Sequence, residues 1–391
     1  MKRFSILLPI AILTLFLFPI SGVQAQSASD VTWSSTITYF TTSDDPGWIK
    51  VIYSDNTTQY KSSQLEIGAK SSGDINIGST VLEENFKGSA VLSSNVPVFS
   101  VSTQYAKDNP SNYSKAFYTG FSMEDSGSEF YLATVRANGI TETTIGVQNV
   151  ESDDIEATML FYDRYTMQLS FTYKVVLGPN EAFISKLPDV PNYPGGIWDG
   201  SLVIRGEKVS DQTPGKVVAS AVETQDNGRG IYSYQGTKGG ASTIYIPSAM
   251  CGYFNQTSYY AIQNIGTETA NVVVDFYDLN AVKVGSIPQI NIYSGAKFST
   301  NPCDHEILVG QKGSAVVRST NDVPLIAMGK IHSPDGLITA FNGLTSGSTN
   351  LAAPYIRWSQ NTSSNYNTYI AIMNLSDVNA TNVVAKYYNA S

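Results

Sequence analysis

Residues 258–277 read SYYAIQNIGTETANVVVDFY, and this stretch decides the fold class. Its first eight residues alternate apolar and polar side chains, and GTET at 266–269 is a polar turn. Val272, Val274 and Phe276 then fall on one face of the segment that follows. Alternation with a period of two is typical of β-strands, and two such strands around a short turn predict a hairpin.

The same pattern returns about every 110 residues, at 143–150 with 156–162 and at 368–375 with 382–388. An apolar or aromatic pair recurs near the end of one strand: Ile52-Tyr53, Phe161-Tyr162, Phe276-Tyr277 and Tyr387-Tyr388. Solenoid repeats are shorter, about 20 to 50 residues, so this period is that of a small domain. The chain is therefore expected to be a tandem array of one module.

Strand-like segments within a repeat are about 8 to 12 residues apart, and no helical period is sustained. This spacing predicts an all-β chain of tandem immunoglobulin-like β-sandwich modules. The predicted divisions are a signal peptide at 1–25, module 1 at 26–128, module 2 at 129–242, module 3 at 243–349 and a partial module 4 at 350–391.

The last division is too short to bury a core of its own, because a sandwich sheet without a partner sheet is not stable. We expect either that the sequence is a fragment of a longer array, which we favour, or that a second chain completes the module. An unpaired sheet edge is also a template for self-association.

The start of the chain has the features of a secretory signal peptide. Lys2 and Arg3 precede an apolar run at 4–20, and small residues at 23–25 form a cleavage site. An uncleaved membrane anchor is the alternative, and prolines within the run argue against it. No later segment has about 18 uninterrupted apolar residues, so we expect a secreted or cell-surface protein without a membrane span in the mature chain.

The composition excludes some partners. The net charge is −9 and only 15% of residues are charged, so the surface should repel the phosphates of nucleic acids. Ser, Thr, Asn, Tyr and Gly are abundant instead, which suits exposed sheet surface and turns.

Cys251 and Cys303 are the two cysteines of the chain, and both fall in module 3. In an exported protein such a pair is expected to form a disulfide rather than a metal site or a nucleophile.

The arrangement of Asn264, Gly266, Ala270-Asn271 and 272–277 resembles bacterial surface and adhesion repeats of the CARDB type and related immunoglobulin-like modules. The resemblance covers the first two strands of each module. Module 1 departs from it, because residues 41–43 lack the asparagine. The resemblance implies an immunoglobulin-like fold and an extracellular adhesion or spacer role, and it brings no catalytic residues.

The residues themselves predict no catalytic set, metal site or cofactor. His305 and His332 are the two histidines; we expect the first in a solvated loop and the second at a hairpin tip. Nucleophile-elbow, phosphate-loop and paired-histidine motifs are missing. Acidic turns at 44–45, 153–154 and 226–228 lack the regular spacing of a calcium loop, and calcium at module junctions is kept as an alternative.

The tyrosines offer one candidate binding site. Tyrosines on an exposed sheet can stack on sugar rings and donate hydrogen bonds. Candidate glycan contacts are Tyr232, Tyr234, Tyr259 and Tyr260, with packing inside the sheets as the alternative.

These observations predict an exported, non-enzymatic structural or adhesion-type repeat protein whose partner is an extracellular protein or a glycan. Two alternatives stay open. The first is a secreted carbohydrate-binding protein or the accessory region of a hydrolase. The second is a filament subunit completed by strand addition.

Overall fold

The predicted hairpin at 258–277 is an arch between two sheets. In a computed structural model of the chain, Thr257–Asn264 and Ala270–Asp278 are both strands, as the alternation predicts. They do not pair with each other, because each lies in a different antiparallel sheet. The prediction of two strands is confirmed, and the hairpin between them is wrong. Alternation identifies a strand, but it does not identify its pairing partner.

The structure describes residues 33–55, 58–80, 82, 86–106, 115–225, 230–333, 338–351, 353, 356 and 368–387. These ranges are nearly all β, as predicted, and contain no α-helix. One-turn 3₁₀ helices cover Ile77–Ser79, Met123–Asp125, Leu187–Asp189 and Cys303–His305. The predicted signal peptide at 1–25 lies outside the described residues.

Module 1 has two small sheets. Its strands are β1 (Trp33–Thr41), β2 (Gly47–Ser54), β3 (Gln59–Lys61), β4 (Leu65–Ile67), β5 (Ser72–Asn76), β6 (Ser89–Ser94), β7 (Val98–Ala106) and β8 (Lys115–Thr119). One sheet has the order β5-β1-β7-β8, and in the other β2 pairs with β3, β4 and β6.

Modules 2 and 3 share one topology. Module 2 has β9 (Glu129–Ala137), β10 (Thr141–Asn149), β11 (Ile155–Asp163), β12 (Leu169–Leu177), β13 (Ala182–Lys186), β14 (Trp198–Lys208), β15 (Val217–Gln225) and β16 (Gly230–Gln235). Module 3 has β17 (Thr243–Cys251), β18 (Thr257–Asn264), β19 (Ala270–Asp278), β20 (Lys283–Ile292), β21 (Lys297–Thr300), β22 (Gln311–Ser319), β23 (Leu325–His332) and β24 (Ile338–Asn342). The order β17-β22-β19-β20 repeats β9-β14-β11-β12, and β21-β18-β23-β24 repeats β13-β10-β15-β16. In module 2 the pairing of Glu142 with Ala137 also joins β10 to β9, so its two halves form one eight-stranded sheet.

A buried asparagine forms the arch in modules 2 and 3. The Nδ2 of Asn264 donates to the carbonyl oxygens of Glu268 at 2.6 Å and Ile292 at 2.8 Å, and its Oδ1 accepts from the Gly266 amide at 2.8 Å. Asn149 makes the corresponding bonds in module 2, whereas Asn374 is exposed and, among the described residues, makes only the two local ones, to Val378 and Ser376. In module 1 the Thr41 hydroxyl takes this place. The side chain supplies the hydrogen bonds that the backbone loses where it leaves one sheet for the other.

The recurring pairs place one ring in the core. Phe161 and Phe276 are fully buried on the strand that follows each arch. In module 1 the buried ring is Tyr53, the second residue of its pair, so that repeat is offset by one residue. Tyr387 is 71% exposed, and Tyr388 lies outside the described residues.

The described residues between 368 and 387 contain no strand. Ile370, Ile372 and Val383 in this segment are exposed, and Met373 and Leu375 are half-buried. Within the ranges that the structure covers, no helix is long and apolar enough to cross a membrane.

Cys251 and Cys303 form the expected disulfide, with their Cα atoms 5.1 Å apart. The bond joins the end of β17 to the loop that precedes β22. Both cysteines lie in module 3, so the disulfide is a crosslink within that module.

Replacing both cysteines by serine should lower the free energy of unfolding of module 3 by about 4 kcal/mol, because the unfolded chain regains the freedom of a 52-residue loop. Thermal melting of the oxidised wild type and the C251S/C303S variant measures the difference. A reductant should lower the melting temperature of the wild type and leave the variant unchanged. Equal melting of the two oxidised proteins would contradict the prediction.

Candidate functional site: the junction of modules 2 and 3

The hydrophobic core of module 2 extends onto the outer face of module 3, which also has a separate core of its own around Phe276. The outer face of the sheet that holds β18 and β23 carries Ala261, Ile326 and Met328, and all three are buried in the same cluster as Phe130 and Leu132 of module 2. From Val31 onward the chain forms one compact unit. The contact surface between these two modules, called here the junction, is therefore continuous with the core of module 2.

Glu223 of β15 is the centre of a buried charge network in the junction. Its side chain is fully buried and accepts from Lys330 Nζ of module 3, at 2.9 Å to each carboxylate oxygen. It also accepts from Arg136 Nε at 2.7 Å and from the Tyr232 hydroxyl. Tyr234 completes the shell, 3.3 Å from Oε1. One carboxylate of module 2 thus binds a lysine of module 3.

A second ion pair crosses the junction nearby. Lys297 of β21 is almost completely buried and donates to Asp199 Oδ1 of β14 and, at 2.8 Å, to the Thr134 hydroxyl. Arg164 binds the other oxygen of Asp199 at 3.0 Å. The Thr134 carbonyl accepts from Tyr234, which connects the two pairs into one network.

Cations outnumber anions in this network. Arg136, Lys297 and Lys330, with Arg164 at the rim, face the two carboxylates Glu223 and Asp199. Each carboxylate is shared by two cations. Burying charges is tolerated only where they are paired and hydrogen-bonded, so the network depends on these two acidic residues.

The pKa values follow from this imbalance. Burial alone would raise the pKa of Glu223, but the charges of Arg136 and Lys330 outweigh burial and hold it at about 2. For Lys330 burial dominates, because it shares its carboxylate with Arg136, and its pKa falls to about 7. Burial lowers the pKa of Lys297 in the same way.

The network is specific to this junction. Tyr259 of module 3 and Thr144 of module 2 are equivalent positions of the repeat. The residue paired with Tyr259 is Lys330, whereas the residue paired with Thr144 is Val222. Lys297 lies opposite Gln263 and Ala182 opposite Gln148. The corresponding face of module 2 therefore carries Val222 and Ala182 where module 3 carries its two lysines.

The four predicted glycan contacts do not form a surface platform. Tyr232, Tyr234 and Tyr260 are buried, and Tyr259 alone is exposed, at 42%. Tyr232 and Tyr234 belong to the charge network, and the Tyr260 hydroxyl donates to the Ser248 carbonyl at 3.1 Å. The glycan prediction is wrong for these three rings, because their hydroxyl groups find partners inside the protein. The packing alternative describes them.

The histidines lie apart. His305 is an exposed residue hydrogen-bonded to Thr300 at 3.1 Å. His332 is the last residue of β23, and its ring contacts Tyr259 with 4.9 Å between ring centroids. Of the three acidic turns, residues 226–228 lie outside the described residues. Among the described residues, no three His, Cys, Asp or Glu side chains come together as metal ligands.

The sequence interpretation missed the charged residues of the junction. Their signal was charge inside apolar strands, in VVASAVETQ for Glu223 and LIAMGKIH for Lys330. Such residues are rarely buried unless they are paired.

No family model matches the chain, and no curated protein matches it. Two solved structures are similar in part. One is an alpha-L-rhamnosidase of Streptomyces avermitilis complexed with L-rhamnose, with 7% identity over 78% of this chain and 37% of that chain, and a TM-score of 0.18. The other is dimeric latent PorU from Porphyromonas gingivalis, with 12% identity over 81% of this chain and 30% of that chain, and a TM-score of 0.16. The chain spans about a third of the length of these proteins, and TM-scores this low carry no argument about function.

Proposed function

We propose that the protein is an exported, non-enzymatic structural element of the cell surface or extracellular space that holds its modules in a fixed orientation. The observation that supports this most is the junction, where an apolar core and two ion pairs connect modules 2 and 3. Two modules joined only by a flexible linker do not require a buried polar network between them.

The linker between these modules is also fixed. Thr237 exchanges two backbone hydrogen bonds with Tyr131 of module 2, at 3.1 and 2.9 Å. Ala241 does the same with Leu325 of module 3, at 3.1 and 2.9 Å. Both ends of the linker are thus bonded to the module that each adjoins, which restricts a hinge at this point.

Module 1 contacts module 2 through polar groups. The Ser233 hydroxyl donates to the Phe117 carbonyl at 2.7 Å, and the Gln235 amide donates to the Thr119 carbonyl at 2.7 Å. Gln59 donates to the Pro179 carbonyl at 2.8 Å. These bonds extend the ordered arrangement across all three modules.

The titratable groups of the junction favour a structural role over catalysis. Glu223, Lys330 and Tyr232 are buried and bind one another, so a substrate could reach them only if the modules separated. Three of the four tyrosines that the carbohydrate-binding alternative depended on are buried. The structural proposal is therefore better supported than that alternative.

Small-angle X-ray scattering at pH 7.5 tests the fixed orientation. We expect the wild-type curve to fit one rigid arrangement of modules 1 to 3. Ile326→Asp places a charge in the shared core and should increase the radius of gyration. Val176→Asp is the matched control, because Val176 is exposed on β12, and it should leave the curve unchanged. A wild-type curve that requires an ensemble of orientations would contradict the proposal.

Protease treatment of intact producing cells tests the location. We expect an antibody against modules 2 and 3 to lose its signal on treated cells, or to find the protein in the medium, while a cytoplasmic marker stays intact. N-terminal sequencing should place the start of the mature chain at Gln26. Protection of the protein until the cells are lysed would contradict export to the surface.

A further inference from the structure

His332 follows Met328 and Lys330, two junction residues of β23, on the same face of that strand, and therefore lies at the rim of the junction. It ends β23, opposite Thr257 of β18 and Ile338 of β24, and its ring contacts that of Tyr259. The side chain is half-buried, so part of the imidazole lies against the protein.

The charges that face His332 are unfavourable for a proton. Lys330 lies two residues away on the same face of β23, and Arg136 of β9 in module 2 binds the same Glu223 carboxylate as Lys330. Glu223 of β15 is the anion among these neighbours, and it already binds both cations. Tyr232 of β16 is bonded to the same carboxylate. A proton on His332 would therefore add positive charge to a site that already has an excess of it.

We propose that the junction is acid-sensitive: protonation of His332 weakens the contact between modules 2 and 3 and allows module 3 to move away from module 2. This inference rests on the proposed function only in that modules 2 and 3 are held together at neutral pH. In this proposal, the protonation state of His332 determines whether modules 2 and 3 stay in contact.

The direction of the effect follows from the pKa values. Burial, and then the charges of Lys330 and Arg136, lower the pKa of His332 from 6.5 to about 4. Separation of the modules exposes the imidazole and restores its ordinary pKa, so the separated state binds more protons between about pH 6.5 and 4. The contribution of His332 to the junction is therefore complete above about pH 6.5 and is lost as the pH falls through this range. Glu223 stays charged throughout, because its pKa is about 2.

Nuclear magnetic resonance tests the titration directly. The chain has two histidines, so the absence of one imidazole signal in His332→Asn assigns His332. We expect its midpoint at least one pH unit below that of a histidine in an unstructured peptide, a tenfold lower proton affinity. A midpoint at or above the peptide value would overturn the proposal.

Scattering between pH 7.5 and 4.5 tests the movement. The radius of gyration of the wild type should rise as the pH falls, with near-ultraviolet circular dichroism showing that the modules stay folded. His332→Gln, which cannot be protonated, should suppress the rise, and His305→Gln should behave like the wild type. If the wild type is rigid at both pH values, or if His332→Gln opens as the wild type does, the inference fails while the proposed function stands. A flexible wild type at pH 7.5 contradicts the proposed function instead.

Discussion

Glu223→Gln should lower the free energy of unfolding by about 3 to 5 kcal/mol, the largest effect expected of a single charge in this protein. Glutamine keeps the shape of the side chain but removes the negative charge that Lys330 and Arg136 share. Arg136 is then a largely buried cation without an anion to bind, and the Lys330 amine loses the carboxylate that accepts its hydrogen bonds. Chemical denaturation at pH 7.5, followed by tryptophan fluorescence, measures the change.

Glu156→Gln is the matched control. Glu156 also binds a lysine, Lys174 at 2.6 Å, but on the exposed surface of β11 and β12. Exposed ion pairs contribute little, so this variant should unfold as the wild type does. If Glu223→Gln also unfolds like the wild type, then the Glu223 carboxylate does not stabilise the junction, and the role given to the network is wrong.

Phe276→Ala should lower the free energy of unfolding by about 3 to 5 kcal/mol, because it leaves a large cavity in the core of module 3. Phe276 is fully buried on β19, and its ring centroid lies 6.3 Å from that of Tyr260. Phe254→Ala is the control: it makes the same change in the same module at a ring that is 80% exposed, and it should have little effect. Differential scanning calorimetry of both variants measures the difference. Similar losses for the two would show that the core of module 3 lies elsewhere.

Local pattern predicted the strands of this protein well. Alternation at 258–265 and 270–277 marks β18 and β19, and Val272, Val274 and Phe276 do face the core. The pairing could not be predicted in the same way. A short turn is compatible with both a hairpin and an arch. The arch is stabilised by the hydrogen bond from Asn264 to the carbonyl of Ile292, a residue distant in sequence, which a local pattern does not reveal.

The candidate site was harder to predict, because it is formed by two modules at once. Tyr232 and Tyr259 look alike in sequence, yet Tyr232 is buried and Tyr259 is not. They differ in their contact with the neighbouring module. Lys330 of module 3 covers Tyr232, whereas part of Tyr259 stays in solvent. Lys297 and Asp199 likewise belong to different repeats, so no motif within one repeat could reveal their pairing.

The shared core also determines how the chain would respond to mechanical load. Ala261, Ile326 and Met328 belong to module 3 but pack within the core of module 2, so the two modules cannot be pulled apart without exposing apolar surface of both. A force applied along the array should therefore have to break this contact before module 2 extends, a step that independent beads would not show. Residues 252–302, which the disulfide between Cys251 and Cys303 encloses, would extend only after that bond is reduced.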